Sequence, residues 1–523
     1  MSELQRAPQP DVGNGNKKFE LEKGIFYPPA ILLVVFLLIG MVSPDGFAKG
    51  ANAALGFTID YFGWMYLFFA FIFLAFVLFV TLAPIGRVRL GGPDAKPELS
   101  YWNWFAMALC AGIAIGILFW GVAEPIYHYY GPPSIAGVDP QTPASAITAL
   151  QLSYLHWSFH PYALYAIIGL AIAYSSYNLN QPFKVSSGLY PIIGDRINGF
   201  WGNTVDAICI FAIVGGVVTS LGLGTLQLAG GLNYLVGLTP NIGIYIAIIT
   251  IITISYTLSS YTGLHRGIKF LSNHNAKIFI GFVVFLFLLG PTKFLLEIGV
   301  NSFGSYLVNV IPMSFWADPF GEGAGWGGGW TMFYWAWWIA FAPIVGMFIA
   351  RISYGRTIRE FLIVNVTIPA LFGILWFTAF GGSAIYMESI ANGSIMNVIN
   401  ESGFEVASYA LLSHFPLAVI TVPLFVIVVA ISFITLADSM TSTIAIMTTK
   451  NRGQGEPPAV IKVFWGLVMG GSTILFLIIT GVSGTKALQT ASIVTALPIF
   501  IIEMAIMISI IMMFYKKGYA KQE

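Results

Sequence analysis

Met332-Phe-Tyr-Trp-Ala-Trp-Trp-Ile-Ala-Phe341 carries six aromatic residues in ten positions: Phe333, Tyr334, Trp335, Trp337, Trp338 and Phe341. Read as a helix, it places Tyr334, Trp337, Trp338 and Phe341 at i, i+3, i+4 and i+7, on one face. Aromatic faces carry negative quadrupole density, and a cage of them holds a quaternary ammonium without a formal counter-charge. The competing reading is a belt at the lipid–water interface, where Trp and Tyr are common. Two adjacent Trp with further aromatics on the same face favour the cage. Gly325-Trp-Gly-Gly-Gly329 stands just before the stretch, and Arg351, Arg356 and Arg359 stand just after it.

The surrounding composition is that of an integral membrane protein. Hydrophobic residues make up 57% and charged residues only 9% of the 523, with a mean hydropathy of +0.80. A water-soluble surface of this size needs far more charge. A net charge of +1 gives no support to nucleic-acid binding. The two cysteines, Cys110 and Cys209, lie inside apolar runs, which gives neither a disulfide framework nor metal spacing. Residues 1–24 are polar, carry no cleavable signal pattern and read as a disordered cytoplasmic tail.

About 20 apolar residues make a spanning helix. Twelve stretches qualify, near 26–43, 61–85, 101–129, 144–175, 203–235, 241–259, 276–297, 330–350, 360–386, 416–447, 459–481 and 488–515. An even number puts both termini on one side. With that side cytoplasmic, only Lys49, Lys293 and Lys486 of the 24 Lys and Arg fall outside, as the positive-inside rule requires. Phe303 to Val310 reads as a helix lying on the outer surface. Met387 to Phe415, with Glu388, Glu401 and Glu405 and no Lys or Arg, reads as an acidic external loop.

Four spans carry polar or small-residue signals. In the third, Ala111-Gly-Ile-Ala-Ile-Gly116 weakens the helix. It serves either close helix packing or a broken helix lining a midplane cavity. The same span ends in Glu124, and an acid there points to a packing, gating or ion role. In the fourth, Pro161 predicts a bend near Trp157, and Tyr162 and Tyr165 share a face. His156 and His160 have the spacing of a metal pair but lack a third ligand, so hydrogen-bonded buried histidines are expected. In the fifth, Thr219 and Ser220 bring in hydroxyls. In the tenth, Ser432, Thr435, Asp438, Ser439, Thr441 and Ser442 form a dense polar patch. Those hydroxyls either return to their own helix carbonyls or offer oxygens to sodium.

Phe333-Tyr-Trp-Ala-Trp-Trp338, followed by Pro343 to Glu360 with Arg351, Arg356 and Arg359, closely resembles the betaine/carnitine/choline transporter (BCCT) family. Phe119-Trp-Gly121, Glu124, His156-Trp157, Thr219-Ser-Leu-Gly-Leu223 and Glu456-Pro-Pro458 extend the resemblance over nearly the whole chain. It implies an all-α integral membrane protein with a leucine-transporter-like fold of 12 transmembrane helices, including two inverted five-helix repeats. The implied divisions are a tail at 1–24, two added helices at 25–100, and a first repeat at 101–300. An outer helix and Gly-rich loop follow at 301–329, then a second repeat at 330–515 and a short tail at 516–523. A homotrimer in the bacterial inner membrane is implied, with both termini cytoplasmic and membrane lipid around it. The matching substrate positions are Trp157, Tyr162, Tyr165, Trp335, Trp337, Trp338 and Phe341, with Tyr127 as in the carnitine branch.

The resemblance also implies differences. Betaine carriers of the family often have Trp where this chain has Tyr162 and Phe341, and Gly where it has Ala114. Choline carriers tend to have Asp where it has Gly116. The sodium-coupled branch has Ser at the position of Leu436, and the sodium-independent carnitine exchangers have Arg at that of Asn275. A sodium ion would use the carbonyls of Cys110 and Ile113, the Thr435 hydroxyl and Ser432. Family members with a long basic C-terminal extension respond to osmotic upshift, and the short tail here predicts no such requirement.

The expected function is a secondary active transporter that imports a small trimethylammonium, quaternary or methylated amine by sodium symport. Sodium-independent substrate:product exchange is the alternative. Sodium is the expected coupling ion, and no cofactor is expected. A channel or receptor for such amines is a separate class, distinguished by gradient-driven accumulation. An enzyme is disfavoured, because no metal set or nucleophile–base pair stands in the core.

Overall fold

The computed structural model describes residues 20–112, 114–262, 267–390, 393–450, 457–480 and 495–515. Its long helices in chain order are α1 (Lys23–Val42), α2 (Pro44–Leu82), α3 (Tyr101–Gly112), α4 (Ala114–Tyr130), α5 (Pro143–Trp157) and α6 (Phe159–Asn178). They continue with α7 (Phe200–Val236), α8 (Ile242–Thr262), α9 (Gly267–Leu289), α10 (Thr292–Ser314), α11 (Thr331–Arg351) and α12 (Ile368–Ile390). The last three are α13 (Ala418–Met447), α14 (Ala459–Thr480) and α15 (Ala496–Tyr515). Among the described residues 11 helices are long and apolar enough to cross a membrane, or up to 12 when the α3–α4 pair counts as one span.

Two of the expected spans are broken. α3 and α4 meet at 58° across the Gly112–Gly116 segment. Two glycines within one turn remove side-chain packing and raise the entropy cost of a continuous helix. The fourth span is two helices, joined at Ser158 with φ −116° and ψ −120°. Pro161 is the third residue of α6, where a missing N–H costs nothing, so the chain breaks before it rather than kinking through it. α5 starts with Pro143 behind a Thr142–Ser145 capping box.

Several boundaries differ from those expected. α2 begins at Pro44 and not near residue 61. The seventh span is Gly267–Leu289, and the stretch expected as an outer surface helix is one continuous element, Thr292–Ser314, itself among the helices long and apolar enough to cross a membrane. Pro291 closes the first and opens the second, so the division placed at residue 300 falls inside α10. The segment from Met387 to Phe415, expected as an external loop, is folded, with helices at Ser394–Ser402 and Ala407–Ser413. Glu388 is buried there, accepting from the Ile395 amide at 2.8 Å and the Tyr130 hydroxyl at 2.6 Å.

α11 is the buried axis. Every residue from Thr331 to Ala350 is buried, which removes the interfacial-belt reading, because a belt must face lipid headgroups. α11 packs on α6 at Gly169 and Gly346. A Cβ on Gly346 would come within 2.9 Å of the Gly169 nitrogen, so only small residues allow this approach.

The arginines after α11 tie one end of the bundle together. Arg356 lies over Tyr101 at 4.0 Å and Trp104 at 4.5 Å. Arg359 donates to the Thr81 carbonyl at 2.8 Å, and Arg89 donates to Gly355 at 2.5 Å. The amide of Glu22 donates to Thr448 at 3.0 Å. The start of the described chain therefore meets the end of α13.

Candidate functional site

The α3–α4 break faces the aromatic face of α11 across a half-open cavity of about 40 Å³. Its walls are Ala111, Gly112 and Gly116 from the break, Trp157 and Tyr165 from the broken fourth span, Ser220 from α7, Trp337, Trp338 and Phe341 from α11, and Leu436 from α13. A water-sized sphere takes about 10–15 Å³ by the same measure, so a group the size of a few methyls fits.

Trp338 is the hub of the rings. Its centroid lies 5.1 Å from Trp157 at 77°, 5.4 Å from Tyr165 and 6.1 Å from Tyr162. Trp337 stands 6.1 Å from Trp157 and 6.4 Å from Phe341, nearly edge-on to both. Edge-to-face pairs leave ring faces free of stacking, which is what a cation needs. Gly116 makes the arrangement possible. A Cβ there would lie 2.4 Å from the Trp157 ring, so any side chain displaces the indole. A Cβ on Gly112 would be 3.7 Å from Tyr162, an ordinary contact.

Six of the eight residues expected at the substrate site come together here: Trp157, Tyr162, Tyr165, Trp337, Trp338 and Phe341. Two do not. Trp335 points the other way, stacked on His160 at 5.1 Å and 21°. On a helix it lies about 160° around the axis from Trp337 and about 120° from Phe341, so it points away from the cage although Trp338 is only one turn on. Tyr127 belongs to an outer aromatic cluster with Trp330 at 5.9 Å and Phe404 at 6.4 Å. Leu436, weighed from sequence only against sodium, is a cavity wall.

The histidines also arrange differently from their spacing. His160 is bonded to Ser314 at 3.0 Å. His156 instead joins Glu124 and His128, and ligand atoms of these three buried groups lie within 4.8 Å of one another. The third partner missing from the sequence comes from another helix. Glu124 Oε1 takes His156 Nδ1 at 2.7 Å and His128 Nε2 at 3.3 Å. Oε2 takes the Trp157 indole N–H at 2.5 Å and the Tyr334 hydroxyl at 2.6 Å. Both oxygens are therefore spent on hydrogen bonds. The set reads as a carboxylate held by four donors and not as a metal centre.

The second polar focus lies where α3, α9 and α13 meet. The Asn275 amide donates to Ser432 Oγ at 2.8 Å and approaches Cys110 Sγ at 3.8 Å. Cys110 Sγ donates to the Ser272 carbonyl at 3.5 Å. Thr435 donates to Ile431 at 2.8 Å and Ser439 to Thr435 at 2.8 Å. These hydroxyls thus bond back to their helix while keeping lone pairs free. Ile113, expected to give a carbonyl, lies outside the described residues.

Comparison with known proteins agrees with this architecture. The family model described as BCCT, betaine/carnitine/choline family transporter, matches residues 24–519. A probable glycine betaine transporter of Desulfitobacterium hafniense is 38% identical over 93% of this chain and 96% of its own length. The glycine betaine transporter OpuD of Bacillus subtilis is 39% identical over 91% of each. An ectoine/hydroxyectoine transporter of Virgibacillus pantothenticus is 37% identical over 97% of this chain and 99% of its own. Among solved structures, a Na+-coupled sialic acid symporter superposes with a TM-score of 0.50 at 13% identity, covering 85% of this chain and 86% of its own. The helical fold is thus the leucine-transporter-like one that the sequence implied. This multi-pass membrane protein belongs to the betaine/carnitine/choline transporter family.

Proposed function

We propose that the chain is a secondary active transporter that imports a small trimethylammonium compound of the betaine type across the bacterial inner membrane. The observation that carries this reading is the cage of Trp157, Tyr165, Trp337, Trp338 and Phe341 around a cavity beside a broken helix. A desolvated cation over such rings gains roughly 1–2 kcal/mol per face. The Tyr162 hydroxyl and the Trp337 and Trp338 indole N–H groups are buried without a partner among the described residues. Such donors suit the carboxylate end of a betaine. The names of the relatives in Desulfitobacterium and Bacillus point to the same substrate class, and that in Virgibacillus adds ectoine as a competitor. Both termini are read as cytoplasmic, from the distribution of Lys and Arg and the contact of Glu22 with Thr448. A homotrimer in lipid is the expected assembly.

Sodium symport is the leading coupling. The Cys110 carbonyl, Ser432 and Thr435 supply oxygens beside the helix break, with Ile113 as the further carbonyl. Sodium-independent exchange is the second reading, and Asn275 favours it, because its amide N–H already bridges to Ser432. Uptake of radiolabelled glycine betaine into proteoliposomes, with sodium or potassium outside and with or without internal substrate, tests both. Accumulation against a gradient supports the transporter reading; equilibration alone supports a channel. No saturable uptake of any trimethylammonium compound overturns the substrate class.

A further inference from the structure

We propose that Glu124 is the counter-charge of the substrate cation, acting through the Trp157 indole as a positioning residue for the cage. The inference rests on the reading of the cage as a trimethylammonium site. An aromatic box needs no formal negative charge to hold such a cation, yet a carboxylate stands directly behind this one.

Glu124, His128 and His156 are all fully buried. No Lys or Arg lies within ion-pair distance of Glu124 among the described residues; its charged-type contacts are the two imidazoles. Its four donors leave the ionised form satisfied by neutral groups. His156 donates from Nδ1 and His128 from Nε2, and Trp157 and Tyr334 complete the set. The Thr331 hydroxyl at 3.0 Å from His156 Nε2 fixes that ring, since it can donate to the remaining nitrogen. With both imidazoles neutral the cluster carries one net negative charge, and among the described residues no Lys or Arg stands against it. A buried charge of that kind is costly unless something completes it.

What lies on the far side of Trp157 is the cavity. The same indole that gives its N–H to Glu124 lines that cavity. Donating that N–H to a carboxylate pushes electron density into the ring, which deepens the negative face. In a low-dielectric interior the charge itself also acts across one ring's width. Both effects favour a cation over a neutral ligand of the same shape. Tyr334, bonded to the same oxygen, belongs to the same helix as Trp337 and Trp338. Glu124 therefore also locks α4 to α5 and α11, two of the three helices that carry the cage.

The test separates charge from shape. Binding of glycine betaine is compared with that of tert-butylacetate, in which carbon replaces the quaternary nitrogen, on purified full-length protein by calorimetry and competition. The parent is expected to prefer betaine. Glu124→Gln is expected to weaken betaine by about tenfold while tert-butylacetate stays within about twofold. Glu124→Asp, which keeps the charge, is expected to recover most of the preference. Tyr334→Phe removes a neutral donor and keeps the carboxylate, so its preference for betaine should be no lower than the parent's. It also serves as the deciding variant should Glu124→Gln fail to fold. Equal weakening of both ligands in Glu124→Gln, no change in either, or a lost preference in Tyr334→Phe overturns the proposal. A parent that binds no trimethylammonium compound overturns the cage reading itself, a different outcome seen before any variant is made.

Discussion

Two polar sites flank the α3–α4 break, and they are built on opposite logic. Around Glu124 a charge is gathered and fully satisfied: four donors from three other side-chain types converge on two oxygens. Around Asn275 there is no charge in direct contact, only an amide, a thiol and hydroxyls. Their donors go to neighbouring groups or to carbonyls of their own helix. The first has all its hydrogen bonds made and leaves only its charge to be matched by a ligand. The second leaves the Asn275 carbonyl oxygen and the Ser272 hydroxyl buried without partners among the described residues. A rigid site suits a ligand held by shape and quadrupole, and an incomplete one suits an ion that arrives and leaves.

The largest expected effect breaks the cage side by sterics alone. Gly116→Val puts a branched side chain where a single Cβ already meets the Trp157 ring at 2.4 Å. Overpacking of this kind costs about 1–3 kcal/mol, so betaine affinity should fall by up to about 100-fold. Calorimetry checks this; a parent-like affinity would place the substrate elsewhere. Next comes Trp338→Ala, which removes the hub ring and should weaken betaine by about tenfold or more. Trp338→Phe keeps a smaller face and should retain part of the affinity. Betaine binding unchanged in Trp338→Ala would move the box.

The ion side should respond less, because no single group there carries a charge. Under symport, Thr435→Ala removes one weak oxygen ligand and should raise the sodium concentration for half-maximal uptake by about three- to fivefold, with betaine binding intact. Under exchange, Asn275→Ala should instead lower sodium-free uptake by about fivefold and leave sodium without effect in the parent. Flux in sodium and in potassium separates the two. The smallest effect sharpens the boundary of the cage. Tyr127→Leu changes a ring in the outer cluster with Trp330 and Phe404, and betaine affinity should stay within about twofold. A tenfold loss would extend the site outward.

The membrane class, the spans and the aromatic stripe of α11 were legible in the sequence, because apolar length and helical periodicity are local properties. The bend at Trp157 and the weak helix at Gly112 and Gly116 were legible for the same reason: proline and glycine act on their own backbone. Local signals also misled. Trp335 shares a ten-residue run with the cage yet faces His160, since two helical steps turn it about 160° away from Trp337. His156 and His160 have metal-pair spacing, yet the partners of His156 come from α4 and from Thr331. Only the tertiary structure decided that Glu124, an acid 33 residues from Trp157 in the chain, stands behind the cage. It alone also brought Asn275 to Ser432 across 157 residues. Sequence records which side chains can bond, whereas packing of separate helices in a low-dielectric interior decides which ones do, because leaving a buried polar group without a partner is costly.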